Sequence, residues 1–145
     1  MMRWTVRTLL TLAWLMAGSL GHPDDKTLPA PKKGRLTVHV LNTSIGKPAV
    51  GVDVRLGRQS DKGWVELRKG KTDENGRLGD LYPEDKRLEV GVYRLVFETG
   101  AYFRARGEKT FFPRVEVVFE VDKEEEHYHV PLLLSPFGYS TYRGS

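Results

Sequence analysis

The stretch HYHVPLLLSPFGYSTYRGS, residues 127–145, decides how this chain folds. Side chains of a strand alternate between two faces. If the stretch begins as a strand, His127 and His129 share one face, and the other face is apolar and is formed by Tyr128, Val130, Leu132 and Leu134. Residues 136–138, Pro-Phe-Gly, then predict a turn that sends the chain back beside this strand. One face therefore belongs to a core, and the other carries two imidazoles.

An earlier segment shows the same alternation. In residues 36–40 the apolar side chains alternate with Thr37 and His39. This pattern predicts a half-buried strand with His39 on its polar face. Two strands at opposite ends of the chain thus each present histidine on the face that does not pack into the core.

The residues between these two segments predict further short strands joined by turns. Apolar or alternating runs occupy residues 50–56, 64–67, 88–97 and 115–121. The run at 88–97 is apolar on both faces and is expected to be buried on both. Residues 73–76 end in Asn-Gly, which favours a turn and delivers Arg77 to the start of a strand. Residues 98–107 favour a short helix that Gly107 can end.

The pattern as a whole contains seven or eight strands and one short helix. Short strands separated by frequent turns are typical of an antiparallel β-sandwich. The chain has 145 residues, of which 39% are apolar, enough for one modest core. It contains no cysteine, so packing and association must stabilise it in place of disulfides.

The first residues predict a secretory signal. Arg3 and Arg7 precede an apolar run at 8–20, which is short for a membrane span, and Ser19 and Gly21 are small residues before a cleavage point. We predict a signal peptide at 1–21, an exposed linker at 22–34 and a domain at 35–145, in an exported, periplasmic protein. An uncleaved membrane anchor is the alternative.

The charge gives little reason to expect a nucleic-acid partner. Loss of residues 1–21 would take the two positive charges of Arg3 and Arg7 from a formal net charge of +4. We therefore expect no nucleic-acid binding, and no membrane association once the signal is cleaved.

The closing segment resembles the C-terminal signature of the 5-hydroxyisourate hydrolases, transthyretin-like enzymes of urate degradation. The tetrapeptide YRGS at 142–145 is the hallmark that separates them from transthyretin, the hormone carrier of the same fold. Two more blocks are similar to those of the family: LTVHVLNTS at 36–44 with GKPA at 46–49, and TDENGR at 72–77. Together the blocks span about residues 35–145 and imply a transthyretin-like sandwich.

The resemblance also implies a site built from distant parts of the chain. It assigns catalytic roles and substrate contacts to matching positions: His39, Arg77, His129 and Ser145 as catalytic, and Tyr142, Arg143 and Gly144 as substrate-binding. The family usually has Asp where this chain has Asn42, and commonly a second Thr where it has Val38. Asn42 can still bond its own turn, so we expect a change of local geometry without loss of activity. The family is mostly intracellular, so the apparent signal is a further departure.

The implied reaction is attack of water on a ring carbonyl of 5-hydroxyisourate, which gives 2-oxo-4-hydroxy-4-carboxy-5-ureidoimidazoline. Neutral imidazole is available near neutral pH, so His39 or His129 is the candidate base, with a slight preference for His39. The planar fork of Arg77 suits an edge of carbonyls and ring nitrogens. Arg143 and Ser145 would complete the pocket and help to place the water. No cofactor or metal is required.

Two other interpretations remain at this stage. His127 and His129 share a face and could chelate Zn or Cu, but two ligands rarely make a site, so we interpret His127 as a neighbour of the site. The competing function is an exported transthyretin-like protein that binds a small ligand without catalysis. A carrier, however, has no need of a base together with an oxyanion donor.

The alternation also predicts association. Because His39 and His129 lie opposite the core residues of their strands, their site would be open to water, whereas ligand pockets are normally enclosed. A second subunit is expected to cover it. We predict a symmetric homo-oligomer with the site at an interface, and the family resemblance implies a homotetramer.

Overall fold

The computed structural model describes residues 36–82, 86, 88–123 and 127–145. The predicted signal peptide at 1–21 and linker at 22–34 lie outside these residues, as does the first residue of the predicted domain. Within the described ranges, no helix combines the length and the apolar character that a bilayer crossing requires.

Nine strands and one helix make up the described part of the chain. In order they are β1 Leu36–Asn42, β2 Lys47–Pro48, β3 Asp53–Ser60, β4 Gly63–Lys71, β5 Arg77–Tyr82, β6 Gly91–Phe97, α1 Thr99–Ala105, β7 Val115–Val121, β8 Tyr128–Ser135 and β9 Gly138–Thr141. The extra strand relative to the expectation is the two-residue β2, which pairs with the end of β1.

The strands form two sheets, with β1 at the centre of the first. β8 pairs with β1 along its whole length, so β2 and β5 occupy the other edge of β1, and β9 continues the sheet beyond β8. The second sheet has the order β4-β3-β6-β7. β1 and β8 run parallel, and the other neighbours are antiparallel. The predicted antiparallel β-sandwich with one short helix is confirmed.

The core lies between the inner faces of the sheets. On β1 and β8 every inward position of the predicted pattern is buried: Leu36, Val38, Val40, Tyr128, Val130, Leu132 and Leu134. Burying one aliphatic side chain of this size contributes roughly 1.5–3 kcal/mol. This stabilisation fixes which face of each strand points out, and Thr37, His39 and His129 lie on the outward face.

One predicted strand begins later than expected. The strand predicted at 50–56 starts at Asp53, because a turn containing Gly51 with φ +78° precedes it. Val50 is 53% exposed in that turn, although Val52 is fully buried. An apolar residue in a turn cannot be distinguished from a strand residue by alternation alone.

Burial on the second sheet also differs from the expectation. β6 begins at Gly91, and only its inner face is fully buried. On the outer face Val96 is buried, but Val92 and Arg94 are half-exposed. The prediction of burial on both faces is therefore wrong at these two residues, where the outer face of β6 is only partly covered; the guanidinium of Arg94 lies over the ring of Trp64, with Cζ 4.5 Å from the centroid.

The helix lies where it was predicted. α1 packs Tyr102 and Phe103 into the core. Gly107 adopts φ +71°, and its N–H donates to the carbonyl of Arg104 at 3.0 Å, so it ends the helix as expected.

Candidate active site

The candidate site lies on the outward face of the first sheet, where β1 joins two other strands. His39 on β1 and Arg77 on β5 are Cα partners in the antiparallel ladder. Thr37 on β1 and His129 on β8 are partners in the parallel ladder. Since Thr37 and His39 are two residues apart on one strand, they share a face. β1 therefore gathers side chains that are far apart in the sequence.

A hydrogen-bonded turn fixes the position at which Arg77 enters β5. Asp73 Oδ1 accepts hydrogen bonds from the backbone N–H groups of Asn75 at 2.9 Å and of Arg77 at 2.8 Å. Gly76 adopts φ +70°, and its carbonyl accepts from the N–H of Val40 at 2.8 Å. The predicted Asn-Gly turn is confirmed, and it is tied to β1 at the residue after His39.

The buried side chain of Thr72 anchors the same turn. Its Oγ1 donates to the carbonyl of Ala49 at 2.7 Å and accepts from the N–H of Val52 at 2.9 Å. Both capacities of this buried hydroxyl are used, as burial requires. The block TDENGR thus mainly forms a hydrogen-bonded turn, which places the guanidinium of Arg77 on the outer face of the sheet.

His39 is half-buried, and its pKa is lowered from the ordinary value of 6.5. Burial is the main cause, because it disfavours the cation, and the positive charge of Arg77 is the second. A hydrogen bond to the backbone of Asn75 and the carboxylate of Asp73 act in the opposite direction. The neutral imidazole, which a general base needs, is therefore favoured.

The pKa of His129 is also lowered, by burial first and then by the positive charge of Arg77. His127 and His39 lower it further, and a hydrogen bond to the backbone of Thr37 acts in the opposite direction. One guanidinium therefore acts on both half-buried imidazoles. Nδ1 of His129 lies 2.9 Å from Oγ1 of Thr37, so Nε2 is the ring nitrogen that remains for water or substrate.

The terminal tetrapeptide is divided between the two sides of β8. Gly144 forms an isolated antiparallel bridge with His129, and its N–H donates to the carbonyl of His129 at 2.8 Å. Arg143 lies instead over the ring of Tyr128, with Cζ 5.2 Å from the centroid. Successive strand residues point to opposite faces. The protomer therefore brings Gly144 to His129 and directs Arg143 to the other side of the strand.

His39, Arg77 and His129 share an open face, and the predicted site residues do not line one enclosed pocket of the protomer. A cavity of about 220 Å³ is lined by residues of β7, by His129 and its two neighbours on β8, and by Tyr142 and Arg143 of the C-terminal tail. A second cavity, of about 340 Å³, is lined by Arg77 and other residues of β4 and β5. His39 lines neither cavity, and Ser145 is exposed.

His127 joins this group through Thr37. Its Nε2 lies 3.0 Å from Oγ1 of Thr37, and its ring is 6.4 Å from that of His129 with an interplanar angle of 21°. In the part of the chain that the structure describes, no group of three or more His, Cys, Asp or Glu side chains could hold a metal ion. His127 and His129 both contact the hydroxyl of Thr37, as two rings on one face.

Sequence analysis missed two contributors to this site. Thr37 bridges two histidines, and the carboxylate of Asp73 holds the turn before Arg77. The signal for Thr37 was present, because a residue two positions before His39 must share its face. The signal for Asp73 was an Asp placed before Asn-Gly, where its side chain can bond the backbone of its own turn.

Comparison with known proteins places this arrangement in context. Residues 36–144 match the family model described as the HIUase/Transthyretin family. A 5-hydroxyisourate hydrolase of Salmonella typhimurium is 53% identical over 110 residues, which cover 76% of this chain and 80% of that protein.

Two solved structures are similar in backbone. The 5-hydroxyisourate hydrolase of Klebsiella pneumoniae has a TM-score of 0.64 at 38% identity, covering 76% of this chain and 92% of that chain. Sea bream transthyretin in complex with thyroxine has a TM-score of 0.71 at 35% identity, covering 76% and 94%. Backbone similarity alone thus does not separate a hydrolase from a carrier.

Proposed function

This chain belongs to the HIUase/transthyretin family, and on that premise we propose that it hydrolyses 5-hydroxyisourate. The observation that carries the proposal is the convergence of His39, Arg77 and His129 on one face of β1 and its neighbours. Two neutral imidazoles beside a guanidinium suit hydrolysis, and a carrier would not need them.

The proposed reaction divides the work among these groups. One imidazole takes a proton from water, whose oxygen attacks a ring carbonyl carbon. The carbonyl–nitrogen bond then breaks, the ring nitrogen takes a proton, and the opened product carries a carboxylate. Arg77 stabilises the developing oxyanion and orients the flat substrate through its planar fork.

We assign the base to His129, although sequence analysis favours His39 slightly. The contact of Nδ1 with Thr37 leaves Nε2 of His129 as the nitrogen that can accept a proton from water. The leaving ring nitrogen then takes the proton that His129 accepted, while His39 stays neutral beside Arg77 and orients the substrate. The substrate contacts of Tyr142, Arg143 and Gly144 and the catalytic role of Ser145 stay predictions.

We further propose that the active form is a homotetramer with the sites at subunit interfaces. The histidines lie on an open sheet face, and an enclosed pocket would require a second copy to cover it. Phe137 (74% exposed) and Tyr142 (56% exposed) are further apolar surface that a second copy would cover, which supports the same proposal. Light scattering with size-exclusion chromatography tests it, and a fully active monomer would contradict it.

Export to the periplasm is also a proposal, supported by the sequence of residues 1–21 alone. We expect a mature chain that begins at His22 and has lost its membrane association. Mass spectrometry of the N-terminus, on protein from fractionated cells, measures this directly. An intact Met1 in the cytoplasmic fraction would contradict it.

The decisive experiment on the reaction follows ultraviolet absorbance of freshly generated 5-hydroxyisourate. We expect wild-type protein to accelerate the decay, and His129→Gln to lose at least about 100-fold in kcat because a general base contributes that much or more. Arg114→Lys, at an exposed ion pair away from the site, is the control and should behave as wild type. Binding of the substrate without faster decay would favour the carrier.

A further inference from the structure

We propose that Thr37 and His127 form a proton outlet for His129, an inference that rests on the function proposed above. The Oγ1 atom of Thr37 lies 2.9 Å from Nδ1 of His129 and 3.0 Å from Nε2 of His127. One hydroxyl therefore joins the half-buried ring to an exposed ring. His127 ends the chain of hydrogen bonds at the surface, where water can take the proton.

The chemistry of a hydroxyl makes this bridge directional. A threonine hydroxyl has one proton to donate and two lone pairs that accept. If His129 donates from Nδ1 to Oγ1, the hydroxyl proton is free to point at Nε2 of His127. Each of the two contacts is then a hydrogen bond of ordinary length, and the bridge connects a donor to an acceptor.

The proposed transfer is balanced. His129 takes a proton from water at Nε2 and becomes a cation. Its Nδ1 proton passes to Oγ1 of Thr37 while the hydroxyl proton passes to Nε2 of His127. The hydroxyl is regenerated, His129 is neutral with its proton on Nε2, and His127 carries the charge until it releases a proton from Nδ1 to solvent. When the leaving ring nitrogen takes the Nε2 proton, the same chain runs in reverse and returns a proton to Nδ1, so Nε2 is free for the next water.

An outlet is needed because the proton that His129 takes from water would otherwise remain on it until the ring opens. Most of the groups that face His129 disfavour holding it: Arg77 on β5, His127 and His39 on β1 oppose a second positive charge, and the backbone of Thr37 favours it. An exposed imidazole two residues away is a suitable acceptor.

The test compares three variants of the full chain. Thr37→Val keeps the shape of the side chain and removes the hydroxyl, Thr37→Ser keeps the hydroxyl, and His127→Gln keeps a polar side chain that does not carry protons. The measurements are kcat and KM at low and at high concentrations of imidazole buffer, across pH. Thermal unfolding confirms that each variant is folded.

We expect Thr37→Val and His127→Gln to lose about 10-fold in kcat at low buffer, with KM unchanged, less than the roughly 100-fold expected for loss of the base. Free imidazole should restore the His127→Gln variant, and Thr37→Ser should stay within about threefold of wild type. A role that is only structural would not respond to the buffer.

Two results would overturn the outlet. One is wild-type kcat in both Thr37→Val and His127→Gln at low buffer. The other is a loss of kcat in Thr37→Val that imidazole does not change and that His127→Gln does not share. An inactive wild-type protein would instead refute the proposed function, so the two failures are distinguishable.

Discussion

The backbone N–H of Gly144 donates to the carbonyl oxygen of His129 at 2.8 Å, and the two residues form a bridge outside the regular strands. A Cβ atom at position 144 would lie 2.4 Å from Cδ2 of the His129 ring. Glycine is therefore required for the tail to run this close to the imidazole. Gly144 of the terminal tetrapeptide thus packs against the ring of His129 and also pairs with the His129 backbone.

Gly144→Ala should lower kcat/KM by about 10-fold or more, because the new methyl group must push the His129 ring away from its hydrogen bond with Thr37. The matched control in the same tail is Gly138→Ala, whose Cβ would meet only Ser135 Oγ at an ordinary 3.6 Å. Steady-state kinetics on both variants measure the difference. Wild-type kinetics in Gly144→Ala would show that the contact is not needed.

The acid limb of kcat/KM should lie below pH 6.5. Burial and Arg77 lower the pKa of both His39 and His129, so the neutral base persists to more acidic pH than in an ordinary histidine. Activity is then complete above about 6.5 and declines as the pH falls through the lowered values. Because the two rings interact, the profile reports them jointly. An inflection above 6.5 would contradict the assignment.

Removing the charge of Arg77 should move this limb. Arg77→Met takes away the second-largest cause of both lowered pKa values, so the inflection should shift to higher pH while kcat/KM falls. Arg77→Lys keeps the charge, so the limb should stay close to that of wild type. Its kcat/KM should nevertheless fall by about 10-fold or more, because a point donor cannot make a bidentate contact. The pH–rate profiles of the two variants are the measurement.

The alternation of side chains allowed the faces of β1 and β8 to be predicted, and with them the outward direction of His39 and His129. The period of two is a local property that each strand shows by itself. The register between strands is not local. That Thr37 would lie beside His129, and Arg77 beside His39, follows from the ladders of β1 with β8 and β5, which no short-range pattern specifies.

Two details of the structure escaped prediction. Arg143 lies over Tyr128, and the tail pairs with β8 through an isolated bridge between Gly144 and His129. The sequence contains no signal for that pairing. Val50 was assigned to a strand because it is apolar, but Gly51 with φ +78° makes a turn there. Local composition does not show which glycine adopts a left-handed conformation.

The turn before Arg77 should be more sensitive to an added methyl group than a similar turn elsewhere. Gly76 and Gly46 both have positive φ, +70° and +64°, so alanine costs roughly 1–2 kcal/mol of backbone strain at either position. At Gly76, however, the Cβ would also lie 2.4 Å from the carbonyl oxygen of Val40, whereas at Gly46 it meets nothing within 4 Å. Gly76→Ala should therefore lose at least about 1 kcal/mol more.

Urea unfolding of both variants at one protein concentration measures this difference, because association would make stability depend on concentration. The kinetics should follow the same order: Gly46→Ala should keep wild-type kcat/KM, and Gly76→Ala should lower it by displacing Arg77. Equal stabilities of the two variants would contradict the clash with Val40.

Asn42, the position at which the family usually has Asp, should tolerate that residue. It is fully buried, its Oδ1 accepts from the N–H of Ser44 at 3.1 Å and from Oγ of Ser44 at 2.5 Å, and its Nδ2 donates to the hydroxyl of Tyr102 at 3.1 Å. In Asn42→Asp the hydroxyl of Tyr102 can turn and donate, so the carboxylate keeps three donors. We expect a change in unfolding free energy within about 1 kcal/mol and wild-type kcat.

Asn42→Leu is the matched contrast, because it has a similar volume and no polar atom. It removes the acceptor of the Ser44 N–H and leaves the hydroxyl of the buried Tyr102 without its partner, at a cost of about 1–3 kcal/mol for the buried group. Urea unfolding near neutral pH orders the two variants. Loss of stability in Asn42→Asp as large as in Asn42→Leu would mean that burial of the carboxylate outweighs its three donors, and that the turn requires the amide.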